Sequence, residues 1–174
     1  MRVLVTGGAG FIGSNIVRML CDQEHRVVVV DDLSFGYREF VDPRARLIRS
    51  SFDDPAVLEA ELPSTDAVMH LAASSIIQFA FQRPTEYFHN NLTRGVALLE
   101  AMRQHRVSLI VFSSTASVYG EPARVPIDED DPKNPPQAYG ASKLAFEAVL
   151  SAYYHSYGIN SVSFRYFNAY GPND

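Results

Sequence analysis

The chain has 174 residues, 47% of them hydrophobic, with 15 basic and 20 acidic residues and a formal net charge of −5. That length can bury a sizeable core, and the acidic balance offers no basic surface for nucleic acid. The one cysteine, Cys21, excludes an internal disulfide, the five histidines show no metal-ligand spacing, and no apolar run approaches the ~20 residues of a membrane span. Because the sequence opens at once on a core strand, it leaves no room for a signal peptide, and a cytoplasmic protein without metal or membrane is the expectation.

Residues 2–6 read as a short apolar strand. Gly7, Gly10 and Gly13 follow and open a helix over 11–23, in which Ile12, Ile16, Val17 and Leu20 share a face. Gly7 permits a tight turn, Gly10 lets the backbone approach a pyrophosphate, and Gly13 lets helix and strand pack closely. The helix N-terminus then offers unpaired N–H groups and a partial positive charge to phosphates. The spacing is Gly-x-x-Gly-x-x-Gly, not the commoner Gly-x-Gly-x-x-Gly. A second strand, 26–30, ends in Asp31 and Asp32. An acidic residue there can hydrogen-bond a ribose 2′-hydroxyl and would repel a 2′-phosphate, which favours NAD over NADP. A solvated strand end is the alternative reading of the two aspartates, and Arg38 nearby could accept a 2′-phosphate.

Further strands are expected at 46–49, 66–71, 108–113 and 160–166, with helices at 55–61, 84–104 and 138–156. The alternation predicts an α/β fold with a doubly wound parallel sheet and ligands at the carboxyl ends of the strands. Asp31, Ala72, Ala73 and Thr115 all follow predicted strands and so gather along that edge. In 84–104 an apolar stripe runs through Phe88, Leu92, Val96, Leu99 and Met102; in 138–156 another runs through Leu144, Ala145, Ala148, Val149 and Ala152. Both stripes are expected to pack on the sheet. The loop from Gly120 to Gln137 holds five of the ten prolines and an acidic run, Asp128–Asp131. Pro126 and Pro132 bracket that run and no histidine is near, so it reads as a solvated stretch and not a metal site.

Tyr139 and Lys143 lie four apart on the last predicted helix and share one face. Such pairs arise by chance on many helices, so context decides. A lysine ammonium beside a phenol favours the phenolate. Bringing a tyrosine from ~10 to neutral pH takes about 3 units, or roughly 4 kcal/mol. One lysine seldom supplies that in a wet site, and a second positive charge such as an oxidised nicotinamide would help. The pair therefore asks for a redox cofactor.

With these residues in place the chain resembles the extended short-chain dehydrogenase/reductase family. Within it the likeness is greatest to the NAD-dependent nucleotide-sugar epimerases and dehydratases, above all the UDP-hexose 4-epimerases. The matching segments are Thr6–Gly13, Asp31–Leu33, His70–Ala73, Asn91, Ser113–Gly120, Tyr139–Lys143 and Arg165–Pro172. The resemblance implies one NAD-binding Rossmann domain over 1–174, with the family's smaller C-terminal, substrate-binding portion apparently absent. It implies Tyr139 as active-site base, Lys143 as the lysine that lowers its pKa and bonds the nicotinamide ribose, and Thr115 as the residue bonding the sugar hydroxyl. Gly7, Gly10, Phe11, Ile12, Gly13, Asp31, Asp32, Ala72, Ala73 and Asn91 match cofactor positions, although a core amide is an equal reading of Asn91. Asn168 matches a position near the substrate diphosphate. His70 reads as a satisfied core histidine. The family's aspartate for the adenine amine is replaced by Ser51, leaving that contact open, with Phe52 a candidate. A UDP-hexose substrate, transient oxidation at sugar C4 and a homodimer through helices 84–104 and 138–156 are further implications. A 4,6-dehydratase would need an Asp-Glu pair where Ala116 and Ser117 stand. Decarboxylases, simple reductases and a non-catalytic NAD-binding fragment or sensor are the other readings.

Overall fold

Central strand β1 (Arg2–Thr6) is buried on both faces, with Val3, Leu4 and Val5 at most 6% exposed. Continuous apolar runs of this kind belong to strands covered by helices on both sides. In the computed structural model, which describes residues 1–173, five further strands join β1: β2 (Arg26–Asp31), β3 (Arg46–Arg49), β4 (Ala67–His70), β5 (Leu109–Thr115) and β6 (Asn160–Tyr166). All pair in parallel, in the order β3-β2-β1-β4-β5-β6. The order reverses between β1 and β4, and a cleft opens beyond the strand ends at such a point.

Side chains alternate between two cores. Val3, Val5, Val27 and Val29 pack with Val17 and Cys21 of α1 (Phe11–Asp22). Leu4, Val28, Val68, Ile110 and Phe112 face the other way. They meet α2 (Pro55–Glu61), α5 (Arg94–Gln104) and α6 (Ala138–Tyr157) through Leu58, Leu98, Met102, Phe146 and Leu150.

The middle of the chain departs from the expected single helix over 84–104. Two short helices, α3 (Ile77–Gln82) and α4 (Pro84–Phe88), come first, and a π-helical turn, His89–Thr93, joins α4 to α5. The wider turn shifts the buried face by one position. Asn91, Gly95, Leu98, Leu99 and Met102 point inward, while Phe88 is 39% exposed. Helix α3 shows no amphipathic pattern because only Ala80 is buried, with Ile77, Phe79 and Phe81 exposed. The expected stripe on α6 is also displaced. Ser142, Lys143, Phe146 and Leu150 face the sheet, whereas Ala148 and Ala152 are not among the buried residues. Two polar residues on the buried face disguise it. Gly95 lets α5 meet α6 here, since a Cβ on it would lie 2.7 Å from the Phe146 ring. Finally, β2 and β5 end one and two residues later than expected, so Asp31 and Thr115 end strands and do not follow them.

Candidate active site

The turn after β1 is shaped by missing side chains. Gly7 has φ +74°, and a Cβ on it would stand 2.5 Å from the Ala72 nitrogen. A Cβ on Gly13 would stand 2.1 Å from the Gly7 carbonyl oxygen. Gly10 is different: its nearest neighbour would be the Gly7 oxygen at 3.5 Å, so the space beside it belongs to the cleft. Gly10 also caps α1 without a side-chain hydrogen bond, and the first turn carries no acidic residue. The first N–H groups of the helix have no intrahelical partner and face an anion site of favourable sign.

A cleft of about 410 Å³ lies over this turn. Sheet order sets the order of its wall: Phe52 follows β3, Asp31 ends β2, the glycine turn follows β1, Ala72 and Ala73 follow β4, and Ser113 lies in β5. The Asp31 carboxylate is oriented by backbone N–H groups of Ala9 and Leu33, both at 2.9 Å. Asp32 also lines the cleft and accepts from the Ser34 N–H at 2.9 Å. Phe11, Ile12 and Gly13 complete the lining at the start of α1. Arg38 is exposed on a short turn and lies outside the lining.

At the other end stand Tyr139 and Lys143. Gln137 caps α6 by accepting from the N–H groups of Tyr139 (2.6 Å) and Gly140 (3.2 Å), which places Tyr139 in the first turn. Lys143 is 2% exposed, donates to the Ser113 carbonyl at 2.8 Å, and lies 5.9 Å from the Tyr139 ring centre. Burial lowers the lysine from 10.5 to about 7. Burial also pushes the Tyr139 phenol up, against a downward pull from the Thr115 hydroxyl. The expected lowering of Tyr139 by Lys143 is therefore not seen in the protein alone. Desolvation penalises both charged forms, and the lysine proton is directed at a carbonyl.

Thr115 is 7% exposed, lies outside the cleft lining, and uses its hydroxyl to accept from the Ser117 N–H at 3.1 Å. One turn beyond Lys143, Glu147 binds the Ser114 hydroxyl and the Arg165 guanidinium (3.1 and 2.7 Å). Arg165 also reaches the Tyr119 hydroxyl at 2.7 Å and the Glu129 carbonyl at 3.0 Å, which ties the 120–137 loop to β6 and α6.

Like Thr115, two further predicted residues, Asn91 and Asn168, are not brought to the cleft wall. Asn91 is buried behind it, accepting from the Ser74 N–H at 2.8 Å and donating to the Ser74 carbonyl and the Ser142 hydroxyl. The core-amide reading of Asn91 is the one its geometry matches, and its neighbour Asn90 lines the cleft instead. Asn168 is exposed beyond β6 and lies outside the lining. His70 is 1% exposed, bonds the Thr6 hydroxyl at 2.7 Å, and is held by burial down to about 3 among Phe52, Phe112 and Phe146. Lining residues missed from sequence include Ser34, Phe35, Asn90 and Arg94. Asn90 and Arg94 lie four apart, a spacing that pairs them on a helix but does not direct either to the cleft.

The profile of the NAD dependent epimerase/dehydratase family matches residues 3–174. UDP-glucose 4-epimerase of Corynebacterium glutamicum is 42% identical over 98% of this chain and 52% of its own length. That of Lacticaseibacillus casei is 44% identical, again over 98% of this chain and 52% of its own length. Among solved structures, a Thermus thermophilus UDP-glucose 4-epimerase complex with NAD superposes with a TM-score of 0.93 at 43% identity, covering 99% of this chain and 57% of that one. The chain thus spans about half the length of the curated relatives it matches.

Proposed function

The chain belongs to the NAD dependent epimerase/dehydratase family, and on that premise we propose that residues 1–174 form the NAD-binding, catalytic domain of a nucleotide-sugar 4-epimerase of the UDP-glucose/UDP-galactose type. One observation carries the reading: the glycine turn, Asp31, Tyr139 and Lys143 line a single cleft. The residues fit NAD. Gly10 leaves room where a side chain would intrude, the start of α1 suits a pyrophosphate, and the Asp31 carboxylate disfavours a 2′-phosphate. Relatives solved with NAD, and one with UDP-glucose, support the assignment.

Bound NAD supplies a reversible hydride acceptor for sugar C4. Tyr139 takes the proton of the C4 hydroxyl, directly or through Thr115. Its burial disfavours the phenolate in the protein alone, and further positive charge in the cleft favours it. Lys143 holds the nicotinamide ribose, and its Ser113 anchor fixes its height in the cleft. Ala116 and Ser117 offer no acid–base pair for dehydration. The outward faces of α5 and α6, away from the sheet, pair with a second copy in a homodimer, in the cytoplasm. Among the described residues no helix is long and apolar enough to cross a membrane.

Residues 1–174 alone are expected to bind NAD with negligible turnover, so the test incubates the full-length enzyme carrying this domain with NAD and UDP-glucose and follows the sugar by NMR. UDP-galactose without net NADH release is the expected result. A 4-keto-6-deoxy sugar would move the reading to a dehydratase, and NAD binding without any turnover by the full-length enzyme would favour the non-catalytic alternative.

A further inference from the structure

Arg94, the first residue of α5, stands at the Asp31 end of the cleft wall with Phe52 and Asn90. Its guanidinium carbon lies 4.7 Å over the Phe52 ring centre. Phe52 is 7% exposed and is backed by His70 at 5.0 Å, so the ring is a fixed floor. The guanidinium is also held along its edge. One terminal nitrogen bonds Asp53 at 2.7 Å and the Ser51 hydroxyl; the other bonds Asn90 at 3.2 Å. Bonds from both terminal nitrogens and the ring beneath hold the flat cation in place at the cleft wall.

We propose that Arg94 is the residue that holds the adenine of the cofactor, by stacking its guanidinium plane on the base. This assignment rests on reading the cleft as an NAD site. Among the planar side chains lining the cleft near Asp31, Phe35 is 71% exposed, whereas the Arg94–Phe52 pair rests on a ring only 7% exposed and forms a fixed surface. A cation there could instead suggest a 2′-phosphate. Asp53 already pairs with it, and Asp31 and Asp32 line the same end of the cleft, so the local charge does not favour a phosphate. The plane of the side chain, not its charge, is what remains to be used. Ser51 cannot act as a carboxylate acceptor for the adenine amine, and its hydroxyl is committed to Asp53 and Arg94. The base is therefore held by its face, and its 6-substituent goes unread.

The experiment titrates NAD, nicotinamide hypoxanthine dinucleotide and NADP into the 174-residue chain, its Arg94→Ala and its Arg94→Lys, by protein fluorescence, with thermal midpoints as the folding control. NAD and the hypoxanthine analogue should bind the wild-type chain within about threefold of each other. Both variants should lose affinity for each by about tenfold, the scale of a base stack. Lysine keeps the charge and loses the plane, so it should not rescue. Full rescue by lysine, a loss confined to NADP, or a preference above about tenfold for the 6-amino base would overturn the proposal. The amino/oxo ratio is read on the wild-type chain, so it decides even where a variant fails to fold. A wild-type chain that bound none of the three dinucleotides would overturn the NAD reading of the cleft and this assignment with it, whereas NAD binding with Arg94 indifferent overturns the assignment alone.

Discussion

The glycine turn after β1 and the polar strip on α6 wall the same cleft, yet they are built by opposite means. The turn works by subtraction: removed side chains bring backbone against backbone and leave N–H groups free at a helix start. The strip works by confinement: Tyr139 and Lys143 are taken out of water, which pushes the phenol's pKa up and the lysine's down. Steric construction is local and readable from spacing. Electrostatic construction depends on what the rest of the fold places around each group. The two regions should therefore respond differently to substitution: the turn through stability and cofactor affinity, the strip through proton chemistry.

The sharpest separation is expected from Tyr139→Phe. The ring and its packing stay and only the proton acceptor goes. Turnover of the full-length enzyme should fall by about 10²–10⁴-fold, the range of a lost general base. Thermal midpoint and NAD affinity should stay close to wild type. A variant with near-normal turnover would remove Tyr139 from the proposed role.

On the turn, Gly13→Ala and Gly10→Ala form a matched pair. The Gly13 methyl would meet the Gly7 oxygen at 2.1 Å and the Gly8 Cα at 2.8 Å, all backbone that cannot turn aside. A loss of about 3 kcal/mol is expected, or a midpoint lower by about 6–12 °C for a chain of this size. The Gly10 methyl meets only an oxygen at 3.5 Å. That variant should keep its midpoint within about 2 °C and weaken NAD in a fluorescence titration. Equal midpoints for the two variants would break the steric account.

The same division explains how much could be read in advance. All six strands, the parallel fold and the glycine turn follow from apolar runs and glycine spacing, which act over a few residues. Helical periodicity puts Tyr139 and Lys143 together, and the structure has both on the cleft wall. The misses are tertiary. The π turn at His89–Thr93 rotates the helix face, which exposes Phe88 and sends Asn91 behind the wall while Asn90 reaches the cleft. The buried face of α6 includes Lys143 and Ser142, so a search for apolar residues chooses the wrong stripe. Arg94 gains its place from Phe52 and Asp53, far earlier in the chain. The direction in which Tyr139 titrates turns on burial, which no i, i+4 spacing reports.

Lys143→Met gives the most specific effect, because its signature is a slope with pH. The lysine titrates at about 7 in the fold and at 10.5 when free. Between those values the unfolded chain binds the extra proton, so wild-type stability rises with pH across that window. Below about pH 7 the fold carries the full cost of a buried ammonium; above about 10.5 the cost is gone in both states. Methionine fills similar space without a charge but leaves the Ser113 carbonyl without its 2.8 Å donor, a penalty of about 1–3 kcal/mol that does not titrate. The two terms oppose each other, so the net change at neutral pH is smaller than the lysine's shift alone would give. The midpoint of the variant minus that of the wild type should be most favourable to methionine at about pH 6 to 7 and should decline steadily towards about pH 10. Thermal scans at one-unit steps would show it. A difference that stayed flat across that whole range would mean that Lys143 keeps an ordinary pKa in the fold, and that burial does not govern the protonation of this strip.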